Sequence, residues 1–272
     1  MAADLSPLFL GLFGHPIAQS FSPRIHTSFA AQFGLKLDYQ IFNVELAGFD
    51  QALEYFRLQG GTGCNVTVPL KWRAFEIAAW SSPAAAQAQA VNTLSMSDEG
   101  LWRGDNTDGA GLVNDLTLNL DINLQQARIC VLGAGGAASG VMGALLECKP
   151  AEVIVANRNE VRASSLADRF SDMGNISMCR MPSLDRLESV DLVINATSMG
   201  HRGEAPFIPE NLVKPSGQLY DMNYGAASMP LRQRCDVMGI PYDDGLGMLL
   251  EQAACSFELW TGLKPSTRDF GW

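Results

Sequence analysis

Apolar residues in the first hundred positions fall into short continuous runs that alternate with amphipathic stretches. The apolar runs predict strands and the amphipathic stretches predict helices. Alternation of strand and helix at this pitch is typical of a mainly parallel sheet covered by helices. The predicted strands are residues 9–13, 39–44 and 63–66, and the predicted helices are residues 23–33, 49–58 and 70–79.

The alternation of strands and helices is then interrupted by a short helix and a hairpin, after which a second series of elements begins. An Ala/Gln-rich run at 84–90 predicts a short helix, and residues 94–96 and 101–103 flank an Asp-Glu-Gly turn and predict a hairpin. A helix at 107–120 leads into a second unit. Its elements are strands 128–132, 153–156, 192–195 and 219–221, with helices between them, and a long Leu/Ala/Met-rich helix at 244–261 that follows the last strand.

These elements predict an α/β protein of two domains, for which 272 residues suffice. We predict a first domain at residues 1–106, onto which the segment 244–272 packs back, and a second domain at 107–243. Hydrophobic residues form 47% of the chain and charged residues 18%, which argues against disorder. The first residues lack the features of a signal peptide, and no apolar stretch is long enough for a membrane span, so we expect a cytoplasmic protein.

The net charge and the positions of the cysteine and histidine residues argue against further classes of protein and of site. A net charge of −10 and a pI near 4.7 argue against a nucleic-acid partner. A site for a small anion must then be locally basic, so each Lys or Arg near a binding motif carries weight. The six cysteines and three histidines are scattered, which predicts neither a disulfide framework nor a metal site. The sequence leaves a monomer and a homodimer equally open.

A glycine-rich turn separates strand 128–132 from the next predicted helix. It reads Gly133, Ala134, Gly135, Gly136, Ala137 and Ala138, a GxGxxA pattern between a strand and a helix. In that setting the glycines allow a tight turn and the close approach of a pyrophosphate to the helix N-terminus. The alternative is a turn that merely ends the strand. The sequence therefore favours a dinucleotide site.

The tip of strand 153–156 indicates which dinucleotide. NAD sites usually place an acidic residue there, about 20 positions after the glycines, to bind the ribose 2′-hydroxyl. This chain has no carboxylate at that tip; it carries Asn157, Arg158, Asn159 and, one helical turn later, Arg162. Two guanidinium groups can bind a 2′-phosphate, whereas the alternative is a pair of arginines on a solvated helix. NADP(H) is the predicted cofactor.

Four polar clusters mark the first domain. They are Ser20 with Ser22, the run from Asn65 through Thr67 to Lys71, the pair Asn92 and Thr93, and the GDNTDG segment at 104–109. Each could be a cap or a turn, and Ser22 could be the N-cap of helix 23–33. Together they supply hydroxyl, amide, ammonium and carboxylate groups near the carboxyl ends of strands, where open α/β sheets bind ligands.

With these motifs the chain resembles the shikimate dehydrogenase family over nearly its whole length. The matching segments are the paired serines Ser20 and Ser22, NVTxPxK at 65–71, AVNT at 90–93, GDNTDG at 104–109, the glycine turn at 133–137, the cofactor clamp of Asn157, Arg158 and Arg162, INATS at 194–198, DMxY at 221–224 and DGxGMLxxQA at 244–253. Two positions depart from the pattern: Asn159 replaces the usual threonine of the clamp, and Pro83 stands where many members carry an acid.

The resemblance implies an N-terminal open, mainly parallel sheet, a C-terminal Rossmann-type NADP-binding domain, and an active site in the cleft between them. It implies NADP-linked interconversion of shikimate and 3-dehydroshikimate in chorismate and aromatic amino acid biosynthesis. Lys71 and Asp108 would form the acid–base pair. Shikimate would contact Ser20, Ser22, Thr67, Asn92, Asp108, Tyr224 and Gln252. The cofactor would contact Gly133, Ala134, Gly135, Gly136, Ala137, Asn157, Arg158, Asn159, Arg162, Thr197, Met222 and Gly245.

Two rival functions remain open at this point. A quinate/shikimate dehydrogenase would accept quinate and often NAD, but the Arg158 and Arg162 pair argues against the use of NAD. A non-catalytic NADP sensor could share the fold. Such a sensor would be free to lose the reacting pair, yet both Lys71 and Asp108 are present.

Overall fold

The computed structural model describes residues 7–268, 270 and 271. The chain divides into two compact units: residues 1–111 with 250–272, and residues 112–249. The first boundary thus lies after Gly111, whereas the sequence suggested residue 106. The predicted ends of the domains at residues 1–6, 269 and 272 lie outside the described residues.

In the described part of the first unit, six strands form one sheet in the order β2-β1-β3-β5-β6-β4. Strand β1 pairs in parallel with both β2 and β3, and β4 pairs in parallel with β6. Strand β5 runs antiparallel to β3 and β6, as the predicted hairpin requires. The strands are β1 (Leu8–Gly14), β2 (Leu37–Asn43), β3 (Gly63–Val66), β4 (Trp80–Ser81), β5 (Thr93–Met96) and β6 (Trp102–Asp105).

Helices cover this sheet, and phenylalanines fill much of the space beneath them. Phe13 meets Phe49 and Phe56 edge to face, with ring centroids 5.7 and 5.5 Å apart, and all three side chains are fully buried. The helices are α1 (Ser22–Gln32), α2 (Phe49–Leu58), α3 (Lys71–Ile77) and α4 (Pro83–Ala88), with a 3-10 turn at Leu46–Gly48. Helix α5 (Asp108–Asn114) begins in this unit, and its residues from Leu112 onward, with its π-helical continuation at Asp115–Asn119, belong to the second unit.

The second unit contains a six-stranded sheet, again counted over described residues, in the order β12-β11-β10-β7-β8-β9. Every pairing is parallel. The chain therefore runs outward from β7 to β9 on one side and from β10 to β12 on the other, as in a Rossmann-type sheet. The strands are β7 (Arg128–Leu132), β8 (Glu152–Asn157), β9 (Ile176–Arg180), β10 (Val190–Asn195), β11 (Val213–Asp221) and β12 (Tyr242–Asp244).

Both faces of this second sheet are buried. Ile129 and Val131 of β7 face one apolar cluster, while Cys130 and Leu132 face the other. Burial on both sides explains why β7 reads as a continuous apolar run. The covering helices are α6 (Gly136–Glu147), α7 (Glu160–Phe170) and α8 (Met229–Met238), with 3-10 turns at Met181–Arg186, Met199–Arg202 and Gly225–Ala227. The last helix, α9 (Leu246–Thr261), begins in this unit and belongs to the first unit from Leu250 onward.

The two-sheet α/β fold predicted from the sequence is confirmed, with three strands added. β4, β9 and β12 were not predicted because they are short or half-buried and their patterns are mixed. The placement of Asp244 in the last helix is wrong. Asp244 ends β12, and its Oδ1 accepts a hydrogen bond from the Leu246 N–H at 3.2 Å, so it lies before α9 and binds the first N–H of that helix. None of the described helices has the length and apolar character that a membrane span requires.

Candidate active site

Lys71 and Asp108 are each the first residue of a helix in the first unit. The Lys71 carbonyl accepts a hydrogen bond from the Val91 N–H at 2.9 Å, which holds the start of α3 beside the segment that carries Asn92. The Lys71 ammonium donates to Asp108 Oδ2 in an ion pair. Their side chains are 20% and 9% exposed, so the pair is shielded but still open to a ligand.

Asn92 connects this ion pair to the end of the chain. Its Nδ2 donates to Asp108 Oδ1 at 2.8 Å and lies 3.3 Å from Gln252 Oε1. Its Oδ1 accepts from the backbone N–H of Thr107 at 2.9 Å. A role of the Asp108 side chain as a helix cap loses support, because its carboxylate is engaged by Lys71 and Asn92.

The paired serines lie where β1 has ended and α1 begins. The interpretation of Ser22 as an N-cap is wrong: Phe21 occupies that position, and Ser22 is the first helical residue. The Ser22 N–H instead donates to Ser20 Oγ at 3.2 Å, and the two hydroxyls are 3.1 Å apart. This local turn holds both hydroxyl groups in one place, where two donors could bind a carboxylate.

Thr67 follows β3 and is held against the end of β1. Its N–H donates to the Phe13 carbonyl at 2.9 Å. A Cβ at Gly14 would lie 2.4 Å from Thr67 Cγ2, so the close approach requires glycine. The structure thus fixes Thr67 at the carboxyl end of two neighbouring strands, as the sequence suggested.

A second layer of polar groups lies beneath these side chains. Asn65 Oδ1 accepts from the Tyr39 hydroxyl at 2.8 Å and is 3.0 Å from His26 Nε2, and Asn65 Nδ2 donates to Ser256 Oγ at 3.0 Å. His26 is fully buried, and burial lowers its pKa to about 3, so the imidazole is neutral at physiological pH. Nε2 must then carry the proton that it donates to the Asn65 oxygen.

In the second unit the glycine turn has the geometry of a phosphate-binding loop. Gly133 has φ +111°, and a Cβ there would meet the Ala196 carbonyl oxygen at 3.0 Å. A Cβ at Gly135 or Gly136 would meet open space, and α6 begins at Gly136. Gly135 and Gly136 are exposed at the start of a twelve-residue helix, so an anionic pyrophosphate can approach the first N–H groups of that helix.

The tip of β8 carries the proposed clamp. Asn157 Nδ2 donates to the Asn159 carbonyl at 2.9 Å, and Asn159 Oδ1 accepts from the Arg162 N–H at 3.1 Å, so Asn159 caps α7. The exposed guanidinium groups of Arg158 and Arg162 form no ion pair with any described residue. Two uncompensated cations in a chain of net charge −10 fit a 2′-phosphate.

A buried carboxylate organises the ends of β10 and β11. Asp221 accepts hydrogen bonds from Asn195 Nδ2 at 2.9 Å and from both nitrogens of Asn223 at 2.7 and 3.0 Å. Asn195 Oδ1 in turn accepts from the Thr197 hydroxyl at 2.8 Å. Burial raises the pKa of Asp221 to about 6, against the opposing effect of these donors. Thr197 and the segment after Asp221 are therefore held by one network.

That segment contains Met222 and Tyr224, which are both half-buried. Burial raises the pKa of the Tyr224 phenol. A Cβ at Gly245 would lie 2.5 Å from the Met222 carbonyl oxygen, so Gly245 is required where the chain passes Met222. Met222, Thr197 and Gly245 thus belong to one end of the second sheet.

Comparison with known proteins identifies the family. Three family models match: the shikimate dehydrogenase substrate binding domain at residues 12–94, shikimate/quinate 5-dehydrogenase at 116–212 and the shikimate 5′-dehydrogenase C-terminal domain at 245–269. A shikimate dehydrogenase (NADP(+)) from Xylella fastidiosa strain Temecula1 is 45% identical over 259 residues, which cover 94% of this chain and 92% of that protein. The chain belongs to the shikimate dehydrogenase family.

Solved structures of similar proteins agree with this assignment. An Ael1 enzyme from Pseudomonas putida is 35% identical with a TM-score of 0.89, covering 97% of this chain and 96% of its own. Shikimate 5-dehydrogenase from Thermus thermophilus, solved with NADP(H) and shikimate, is 32% identical with a TM-score of 0.84, covering 96% of this chain and 95% of its own. The sequence resemblance to the family is thus confirmed.

The predicted site residues of this family member form two groups. The first unit brings together Lys71, Asp108, Asn92 and Gln252, and it also holds Thr67 at the end of β3 and Ser20 and Ser22 at the start of α1; the second holds the glycine turn, the clamp, Thr197, Met222, Tyr224 and Gly245. The structure adds four polar residues that had no role assigned from the sequence: Asn65, Thr93, Thr107 and Ser256. The first three lie within matched motifs, whereas Ser256 could only have been found from its position one helical turn after Gln252.

Proposed function

We propose that the protein is an NADP-dependent shikimate dehydrogenase, an oxidoreductase that interconverts shikimate and 3-dehydroshikimate in chorismate and aromatic amino acid biosynthesis. The observation that carries this function is the shielded Lys71–Asp108 ion pair, bordered by the amides of Asn92 and Gln252, in a chain of this family. A protein that only sensed NADP would have no use for such a pair.

The substrate-binding groups of the first unit suit a hydroxylated carboxylate. Ser20 and Ser22 supply two hydroxyl donors for the carboxylate. Thr67, Asn92 and Gln252 supply groups that can both donate and accept hydrogen bonds, as ring hydroxyls require. We assign Tyr224 of the second unit to substrate as well, on the basis of its place in the DMxY segment of the family.

The second unit holds NADP(H). Gly133 to Ala137 bind the pyrophosphate through backbone N–H groups, and Asn157, Arg158, Asn159 and Arg162 bind the 2′-phosphate. Arginine suits this phosphate because its planar donors can form paired hydrogen bonds with two oxygens. Thr197, Met222 and Gly245 contact the nicotinamide end.

Oxidation of shikimate removes a hydride from C3 and a proton from the hydroxyl on the same carbon. A bound NADP⁺ would supply the hydride acceptor for this direction, and NADPH the hydride donor for the reverse. Lys71 and Asp108 handle the proton: the carboxylate orients the lysine nitrogen and balances the charge of its ammonium form. In reduction the ammonium donates the proton to the substrate oxygen, and in oxidation the neutral amine accepts it. Asn92 holds the other oxygen of Asp108 in place.

We place the reaction in the cytoplasm. All six cysteines are unpaired thiols, and each is buried or half-buried. Thiols remain reduced in that compartment, whereas oxidising compartments favour disulfides.

A spectrophotometric assay tests the function. Purified protein is supplied with shikimate or quinate, each with NADP⁺ or NAD⁺, and formation of the reduced nicotinamide is followed by its near-ultraviolet absorbance. We expect the highest kcat/KM with shikimate and NADP⁺. Preference for quinate with NAD⁺ would favour the quinate/shikimate alternative, and absence of turnover with all four pairs would contradict the enzyme assignment.

A further inference from the structure

Beneath the reacting pair, a series of buried hydrogen bonds connects Asn65 to Asp108. The path runs from Asn65 Nδ2 to Ser256 Oγ at 3.0 Å, on to Thr93 Oγ1 at 2.7 Å, to Asn92 Oδ1 at 2.9 Å, and from Asn92 Nδ2 to Asp108 Oδ1 at 2.8 Å. Thr93 and Ser256 are 0% exposed, and Asn92 is 2% exposed. All five residues belong to the first unit.

The direction of donation can be worked out from fixed donors. A backbone N–H, that of Thr107, donates to Asn92 Oδ1, so this atom is the amide oxygen and must accept. The Thr93 hydroxyl therefore donates to it, which uses the only proton of that hydroxyl. Ser256 must then donate to Thr93, and the Asn65 amide donates to Ser256.

Ser256 has two other possible partners. Its Oγ lies 3.0 Å from the Gln252 carbonyl oxygen, which also accepts from the Thr107 hydroxyl at 3.0 Å, and 3.2 Å from Thr107 Oγ1. The contact from Ser256 to Thr93 is shorter, at 2.7 Å. The chain of donors thus runs one way, from Asn65 to the carboxylate of Asp108, and aligned hydrogen bonds of this kind strengthen one another in a buried environment.

We propose that Thr93 and Ser256 are positioning residues for the reacting pair: their hydroxyls lock the amide of Asn92 so that its N–H groups face Asp108. This inference rests on the proposed function. Without the Thr93 hydroxyl, the Asn92 oxygen keeps only the Thr107 N–H, and the amide is held less firmly toward the carboxylate, although its Nδ2 also donates to Thr107 Oγ1 at 2.9 Å. The bond from Asn92 to Asp108 Oδ1 then weakens, and Asp108 holds Lys71 less firmly.

Two substitutions test the role with little change in shape. Thr93→Val replaces the hydroxyl by a methyl group, and we expect kcat with shikimate to fall roughly tenfold, while KM for NADP⁺ stays within about twofold. Thr93→Ser retains the hydroxyl and should restore kcat to within about threefold of wild type. Ser256→Ala should lower kcat by about three- to tenfold. This variant provides the same test if Thr93→Val fails to fold.

The control is Ser95→Ala, two residues further along β5. The Ser95 hydroxyl is buried and has no hydrogen-bond partner among the described residues. Its removal deletes a buried hydroxyl from the same strand without touching the chain of donors, so kcat should not change. Melting temperatures of all variants show whether a loss of kcat merely follows a loss of stability.

A double-mutant cycle decides whether the hydroxyls act through Asn92. In an Asn92→Ala background, Thr93→Val or Ser256→Ala should cause no further loss of kcat. Further losses equal to those in the wild-type background, an equal loss in Thr93→Ser, or an equal loss in Ser95→Ala would each overturn the inference. Normal kcat in both Thr93→Val and Ser256→Ala would overturn it while leaving the proposed function intact. If the wild-type protein itself shows no turnover of shikimate with NADP⁺, the proposed function fails and this inference falls with it.

Discussion

The two binding regions of this chain are built in opposite ways. In the first unit, the reacting pair and its neighbours are largely buried and already hydrogen-bonded to one another: Asp108 binds Lys71 through one oxygen and Asn92 through the other. In the second unit, Gly135 and Gly136 border open space, and Arg158 and Arg162 extend into solvent.

This difference follows from what each kind of ligand requires of its binding site. A reacting group must be held at one position, and a buried network of hydrogen bonds provides this. A nucleotide phosphate instead needs accessible backbone N–H groups and cations, which strong hydrogen bonding to the protein would only use up. Substitutions in the first region should therefore affect the rate, and substitutions in the second should affect cofactor affinity.

The largest effect is expected from the reacting pair taken as a unit. Asp108→Asn keeps the shape and removes the charge, so kcat should fall by about 10²- to 10⁴-fold, the range typical of positioned proton transfer. The double variant with Lys71→Ala should be little worse than the worse single variant, because the two groups share one step. Steady-state kinetics of the three variants check this. If the losses multiply, the two residues act independently.

Arg158→Ala should have a smaller effect, confined to one cofactor. Loss of a charge-assisted hydrogen bond is worth about 1.5–3 kcal/mol, so KM for NADP⁺ should rise roughly ten- to a hundredfold. KM for NAD⁺, which lacks the 2′-phosphate, should hardly change. Arg186→Ala, at another exposed arginine of the same unit, is the matched control. Equal weakening toward both cofactors would argue against the phosphate assignment.

The serines should change substrate binding and leave the cofactor unaffected. Ser20→Ala and Ser22→Ala should each raise KM for shikimate by an amount equivalent to about 1–3 kcal/mol, because a carboxylate oxygen loses its donor. The structure sharpens this prediction, since Ser22 does not cap α1. A lower melting temperature with unchanged KM would show that the serines only support the turn between them.

The smallest functional effect is expected at Asp221, where the predicted change is in stability. The pKa of Asp221 in the folded protein, about 6, is above the ordinary value of 3.8. Between these values the native state holds a proton that the unfolded chain has lost, so stability from this group is full at low pH and is lost as pH rises through the folded-state pKa. Relative to wild type, Asp221→Asn should gain about 1–3 kcal/mol in unfolding free energy between about pH 4 and pH 7.

Chemical denaturation at several pH values measures that difference, with Asp98→Asn at an exposed carboxyl as the control. A difference between Asp221→Asn and wild type that stays constant over this range would show that Asp221 does not titrate there.

The fold and the nucleotide region could be predicted well from the sequence because both depend on local patterns. The glycine turn, the strand before it and the helix after it are contiguous, and β7 runs over Arg128–Leu132 as its apolar run indicated. The arginines at the tip of β8 lie within a few residues of each other. These features can be predicted without knowing which residues far apart in the chain come into contact.

The organisation of the buried network could not be predicted in the same way. Ser256 contacts Asn65, Thr93 and Thr107, residues that lie about 150 to 190 positions away along the chain. The local periodicity of the sequence gives no information about contacts between residues so far apart in the chain. Ser22 shows the same limit at short range, because its position before Pro23 is typical of an N-cap, yet the backbone at Phe21 takes that place.

The first unit is expected to supply the chemistry while the second supplies cofactor affinity. Lys71→Ala tests this division most directly when kcat with shikimate and the Kd for NADP⁺ are measured on the same preparation, with Lys36→Ala at an exposed lysine as the control. We predict that kcat falls by about 10²- to 10⁴-fold and that the Kd for NADP⁺ stays within about twofold of wild type. Turnover within a few-fold of wild type in Lys71→Ala would contradict this division.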